Sequence, residues 1–159
     1  MEDSITYAKK YLEDLLSFFG LNTDVHATHE DDVIELAIPS THMNGFLIGQ
    51  NGDTMRAIQY MVSNALKTQG HEYFRVNVDV ADYKKQRAER LAEQVRGWAA
   101  QVKKTGDPME LRPMNGADRR VVHHVATEFG LETESIGEGR DRRVVITPSD
   151  GVVMEEEDA

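Results

Sequence analysis

Two short stretches carry residues whose types and spacing can do chemistry. The first is Gly49-Gln50-Asn51-Gly52, set between the apolar run Phe46-Leu47-Ile48 and a helix-like stretch that starts at Asp53. A turn that feeds a helix N-terminus presents backbone N–H groups with no partner, and the helix dipole adds positive potential behind them. Such a place suits an anion such as a phosphate. Residues without a Cβ let a sugar-phosphate backbone come close. Gln50 and Asn51 donate hydrogen bonds but carry no charge. Ile48 and Thr54 flank the turn, and Arg56 is the cation near the helix start. Asp53 repels a phosphate unless it caps its own helix. The pattern is neither the G-x-x-x-x-G-K-[ST] loop nor the dinucleotide fingerprint, since no strand leads into it.

The second stretch is Arg119-Arg120-Val121-Val122-His123. Arg119 and His123 are four apart, so on a helix they leave one face about one turn apart. A planar guanidinium beside an imidazole makes a donor patch that suits phosphate and can stack on a base. Arg120, Arg142, Arg143 and Arg112 lie close enough in sequence or charge pattern to add to it. Arg142 and Arg143 are adjacent on a strand-like run, so only one of them can share the binding face. The competing reading pairs Arg119 with Asp118 or Glu128 and lets His123 pack.

Other chemistry finds little support. The chain has no cysteine, which removes thiolate ligands and cysteine nucleophiles and suits a reducing compartment. His26 and His29 are three apart on a strand-like run and point to opposite faces. His123 and His124 are neighbours on a helix, about 100° apart. Neither pair chelates naturally, and Asp31-Asp32 reads as a solvated turn. No nucleophile–base pair stands out. The expectation is no enzyme, no cofactor and no metal.

The elements that must position both stretches follow from periodicity. Ile5, Ala8, Leu12, Leu15, Leu16 and Phe19 make one helical stripe, with Ser4 as cap and Gly20 as stop. Strands are expected at about 23–29 and 33–38, joined at Glu30-Asp31-Asp32. Ser40 or Thr41 caps a short helix through Phe46-Leu47-Ile48. After the glycine turn a helix runs over about 53–67, inward through Met55, Ile58, Met61, Val62, Ala65 and Leu66. Residues 73–80 alternate as a half-buried strand. A charged helix over about 81–104 is expected to pack through Leu91, Val95, Trp98 and Val102. A short strand at 109–112 follows, then a helix over about 115–129 with Val121, Val122, Val125 and Phe129 inward. Strands at about 131–136 and 142–147 close the chain around Gly137-Glu138-Gly139.

The chain of 159 residues is long enough for two small domains. Its net charge of −10 argues against crude electrostatic capture of nucleic acid. The charge is uneven: residues 1–80 hold 5 Lys/Arg and 12 Asp/Glu, whereas residues 81–148 hold 13 and 11. Phosphate binding should therefore lean on the second half. Residues 149–159 read as an acidic disordered tail. No apolar run approaches the roughly 20 residues of a membrane span, and the N-terminus lacks a signal core; a cytoplasmic protein is expected.

The stretch "LIGQNGDTMRAIQYMVSNAL" resembles the G-x-x-G segment of a KH domain. The order helix-strand-strand-helix-GxxG-helix-strand matches the type II arrangement of that fold. The resemblance implies that Gly49 to Gly52 grip about four nucleotides of a single strand. Leu47, Ile48, Thr54, Met55 and Ile58 are then the groove candidates for bases. The stretch from Leu111 to Pro148 resembles the single-strand-binding domain named for an Arg, three residues and a His, which assigns binding to Arg119 and His123. Both in this order look like the Jag family of bacterial RNA-binding proteins. The implied fold class is α+β, with a type II KH domain at 1–80 and a small α/β Arg-x-x-x-His domain at 81–148. The implied role is a non-catalytic regulator or chaperone of single-stranded RNA, with single-stranded DNA as a second candidate ligand. A second small KH protein is a candidate partner. Many relatives carry an extra N-terminal domain; here the KH-like part begins almost at Met1, so a short form is expected. The alternative reading is a protein-interaction adaptor whose acidic first half has weakened RNA binding.

Overall fold

The computed structural model describes residues 1–149, so the expected acidic tail lies, apart from Ser149, outside the described residues. The chain divides into two compact units, residues 1–85 and from Gln86 onward. The division falls inside a helix rather than before it.

The first unit opens with α1 (Glu2–Phe18), followed by β1 (His26–Glu30) and β2 (Val33–Ile38). A short α2 (Asn44–Ile48), one 3₁₀ turn (Gln50–Gly52) and α3 (Asp53–Thr68) lead to β3 (Arg75–Val80). This is the element order that periodicity predicts. The sheet order is β1-β2-β3, with β1 antiparallel and β3 parallel to the central β2. A parallel pair needs a long crossover, and α2, the glycine turn and α3 supply it. Ile34, Leu36 and Ile38 of β2 pair in register with Val76, Val78 and Val80 of β3. All six are buried with Leu12 and Leu16 of α1 and Val62 and Leu66 of α3. Period 2 on the strands and period 3.6 on the helices thus meet in one apolar layer.

Some expectations fail here. Ser4 does not cap α1: the helix starts at Glu2, and Ser4 is buried, with Oγ 3.0 Å from His71 Nδ1. Neither Ser40 nor Thr41 holds the cap position of α2, which falls to Met43; Thr41 Oγ1 accepts from the Met43 N–H at 3.2 Å, one turn too early. Phe19 lies just past the end of α1 and is exposed. Met61, expected inward, is 42 % exposed; the α3 stripe closes through Met55, Ile58, Val62 and Leu66, and Met61 lies to one side of it.

The second unit holds most of α4 (Tyr83–Thr105), then β4 (Met109–Glu110), α5 (Gly116–Glu128), β5 (Glu132–Ile136) and β6 (Arg143–Thr147). Its sheet order is β4-β6-β5, antiparallel throughout. Leu91, Val95, Ala99 and Val102 of α4 meet Val122, Val125 and Ala126 of α5 and Val144 and Ile146 of β6 in a separate core. The fully buried position in the third turn of the α4 stripe is Ala99; Trp98 packs at its margin. α5 starts where a cap predicts it: Asn115 Oδ1 accepts from the Asp118 N–H at 2.9 Å. Both units mix helix and strand, an α+β architecture.

Candidate functional site

In the first unit the glycine turn has the backbone its sequence suggests. Gly49 has φ 69° and ψ −170°, a region essentially restricted to glycine. A Cβ there would overlap Thr54 Oγ1, so the space belongs to the first turn of α3. Asn51 (φ 53°) and Gly52 (φ 80°) are left-handed; asparagine is among the few residues that tolerate this. Gln50 and Asn51 are exposed, and Ile48 and Thr54 are half-buried. α3 begins on Gly52, which has no side chain with which to cap it. The amides of its first turn are therefore left to an outside acceptor.

Three groove candidates are corrected. Leu47, Met55 and Ile58 are all in the core of the unit and cannot carry bases. They lie on the same helical face as the buried stripe, and a helix offers one stripe to only one surface. The exposed apolar side chain of α2 is instead Phe46, whose ring packs edge-on to Phe19 at 5.3 Å.

Charge at the turn is nearly balanced. Arg56 Nη2 donates to the Asp53 carboxylate, and Arg56 Nη1 donates to the Asn51 carbonyl at 3.0 Å. Arg56 thus folds back over the turn, and Asp53 is spent on an ion pair. Tyr83 and Lys84 also belong to this neighbourhood, and sequence reasoning missed both. The Tyr83 ring lies against Gly52. Lys84 donates to Asn77 Oδ1. Partial burial draws the Lys84 pKa down, Asp79 and Glu35 oppose this, and nearby Arg56 adds to it. No local motif announces either residue, because the strand–helix turn at 81–82 alone brings them there.

In the second unit Arg119 and His123 project from one face of α5, as their spacing requires. They converge on β5. Arg119 Nη1 is 3.4 Å from Ser135 Oγ, and His123 Nε2 is 3.2 Å from the same oxygen. His123 Nδ1 bonds Thr133 Oγ1. Arg119 Nε donates to the Met114 carbonyl at 3.3 Å. Thr133 and Ser135 therefore hold the imidazole at both ring nitrogens. They pair with Ile146 and Val144, whose side chains are buried, so they lie on the α5 side of the sheet. Two hydroxyls at core-facing positions of a strand were the signal that could have identified them.

The neighbouring acids are engaged elsewhere. Asp118 is buried and takes a two-pronged ion pair from Arg87, at 2.6 and 2.8 Å. Glu128 pairs with His124. Among the described residues, Arg119 has no carboxylate partner, so the competing reading of an Arg119 ion pair fails. Arg120 is exposed. Arg143 is corrected: it pairs with Glu110 and sits on the sheet face opposite Val144, away from Arg119. Arg142 Nη1 donates to the Gly137 carbonyl at 2.9 Å, closing the β5–β6 turn. Arg112 lies over the Trp98 ring, 5.8 Å from its centroid.

Among the described residues no cluster of three or more His, Asp or Glu is placed to hold a metal ion. No described helix is long and apolar enough to cross a membrane.

Residues 85–148 match the family model of the domain named for an arginine, three residues and a histidine, the Arg-x-x-x-His domain. The chain is 29 % identical over 148 residues to RNA-binding protein KhpB of Bacillus subtilis (strain 168), covering 91 % of this chain and 71 % of that protein. It is 29 % identical over 142 residues to RNA-binding protein KhpB of Clostridium symbiosum, covering 88 % and 64 %. The match to the protein of that name from Streptococcus pneumoniae serotype 2 is 28 % over 151 residues, covering 92 % and 44 %. The chain thus spans less than two thirds of the length of two of these three relatives. It carries an Arg-x-x-x-His domain in its second unit and is homologous, over most of its own length, to proteins named RNA-binding protein KhpB.

Proposed function

We propose that the chain is a non-catalytic binder of single-stranded RNA, of the Jag family, acting in the bacterial cytoplasm as a post-transcriptional regulator or RNA chaperone. The observation that carries this reading is the state of Arg119. Its guanidinium is held by Met114 and Ser135 beside His123, while the nearest acids are taken by Arg87 and His124. A cation oriented by neutral groups, with no counter-ion among the described residues, is poised for a phosphate. Arg120 adds exposed charge one residue along α5.

The first unit, in this reading, is a type II KH domain, and Gly49-Gln50-Asn51-Gly52 is its phosphate clamp. The exposed turn, the glycine-only backbone at Gly49 and the uncapped start of α3 support that role. Ile48, Thr54 and Arg56 border the path. Two weak sites on one chain raise avidity without new contacts. A second small KH protein would fit the α1/α3 helical face, where Tyr60 and Met61 are exposed.

The test is anisotropy with labelled single-stranded RNA at low salt. Replacing Arg119→Ala together with His123→Ala should weaken binding at least about ten-fold, the scale of one charge-assisted contact. Gln50→Asp with Asn51→Asp should weaken it by repulsion of phosphate. An unchanged Kd in the first pair transfers RNA binding elsewhere on the chain. A second reading, a protein adaptor, is favoured by the Arg56–Asp53 pair, which neutralises the cation at the turn. It predicts that only the Arg119/His123 pair matters to RNA.

A further inference from the structure

Between β3 and α4 the chain makes a turn that L-residues avoid. Ala81 has φ 51° and Asp82 φ 55°. Left-handed backbone crowds the Cβ against the following carbonyl, and alanine has no polar side chain to offset it. Such conformations persist only where the surroundings impose them, and they mark places where geometry serves a purpose.

The surroundings here are specific. The Ala81 N–H donates to the Ile38 carbonyl at 2.9 Å, extending the β2–β3 pairing by one residue. The Asp79 carboxylate accepts from the Lys84 N–H at 3.2 Å. The Lys84 ammonium donates to Asn77 Oδ1, and Asn77 Nδ2 donates to Glu35 at 2.6 Å. Together these bonds lock the first turn of α4 onto β2 and β3 and fix the direction in which Tyr83 leaves it.

Tyr83 arrives at the glycine turn. A Cβ at Gly52 would lie 3.3 Å from Tyr83 Cε1 and 3.3 Å from Arg56 Nη1. Gly52 is buried although Gln50, Asn51 and Asp53 around it are exposed. The ring also packs on the margin of the core of the unit. We propose that Tyr83 is a positioning residue for the glycine turn: its ring backs Gly52 in the left-handed conformation and couples the first turn of α4 to the amides that hold phosphate. This rests on the RNA-binding reading of that turn. A turn already ordered before RNA arrives loses less freedom on binding. Displacing the first turn of α4 withdraws the ring and loosens Asn51 and Gly52.

The experiment uses the full chain and a labelled single-stranded RNA, with amide order parameters at Gly49, Asn51 and Gly52 as a second readout. Tyr83→Phe should bind and relax as the wild type does. Tyr83→Ala should weaken binding about three- to ten-fold, with falling order parameters at Asn51 and Gly52. If Tyr83→Ala leaves the first unit unfolded, Tyr83→Leu keeps apolar volume without the flat ring, and the same losses are expected. Wild-type affinity and order parameters in the folded Ala or Leu variant overturn the inference, provided Gln50→Asp with Asn51→Asp binds weakly. Wild-type binding by that Asp pair removes the RNA-binding reading of the turn, and the role of Tyr83 falls with it.

Discussion

The two candidate sites are built from opposite materials. The glycine turn offers backbone amides and conformations, and its cation, Arg56, is cancelled by Asp53. The α5–β5 patch offers side chains, and its cation, Arg119, is spared because Asp118 is bound by Arg87. A backbone site tolerates side-chain changes that keep its φ angles and the space beside it. A side-chain site tolerates backbone adjustments and depends on who neutralises whom. The acidic first half and the mildly basic second half are thus compatible with a shared ligand: the first contributes shape, the second contributes charge.

The largest effect expected is from Gly49→Ala. The added methyl meets Thr54 Oγ1 and the backbone is glycine-only, so the first unit should lose about 2–4 kcal/mol. Far-UV circular dichroism in urea reads this. Trp98, the single tryptophan, lies in the second unit, and its fluorescence transition should not move. Retained stability would mean that the turn is not constrained as described. Next is Asp118→Asn, which breaks the ion pair with Arg87. Asp118 is only 12 % exposed but Arg87 is 42 % exposed, so solvent covers part of the loss and about 1–3 kcal/mol is expected. The Trp98 signal is the natural probe here, and no shift would reduce the pair to a surface contact.

The third contrast sets the two cations against each other. Arg119→Ala should weaken RNA binding about ten-fold and lower the salt slope by close to one. Arg56→Ala should change affinity by less than about two-fold, since Asp53 already screens it. Equal losses would erase the distinction between the sites. The smallest effect is from Ala81→Gly. Relief of the left-handed strain should stabilise the first unit by up to about 1 kcal/mol, less whatever freedom glycine gains in the unfolded chain. Thermal melts resolve such a shift, and a clear loss of stability would contradict the strain assigned to that turn.

Much of the fold was legible because local periodicity carries it. Ile34, Leu36 and Ile38 announce one strand face, and Met55, Ile58, Val62 and Leu66 announce one helix face. Asn115 announces the start of α5. What periodicity cannot say is which surface covers a face. Leu47, Met55 and Ile58 suit a groove by type but form core instead, since an apolar stripe looks the same in either role. Ser4 has the type of a cap, yet His71, far along the chain, draws it inside the helix. Strand alternation separates Arg142 from Arg143, but only the register of β5 against β6 shows that Arg143 faces away from α5.

The amino-acid order alone determined that Arg119 and His123 leave α5 together, because a helix turns once in 3.6 residues. It also determined where the chain can adopt backbone closed to other residues, because Gly49 and Gly52 lack a Cβ. Only the tertiary structure decided that Asp118 serves Arg87 rather than Arg119, that Asp53 serves Arg56, that Thr133 and Ser135 grip His123, and that Tyr83 rests on Gly52. Ion pairs, hydrogen bonds and packing act over a few ångströms of space, and separation along the chain says little about which groups come within that range.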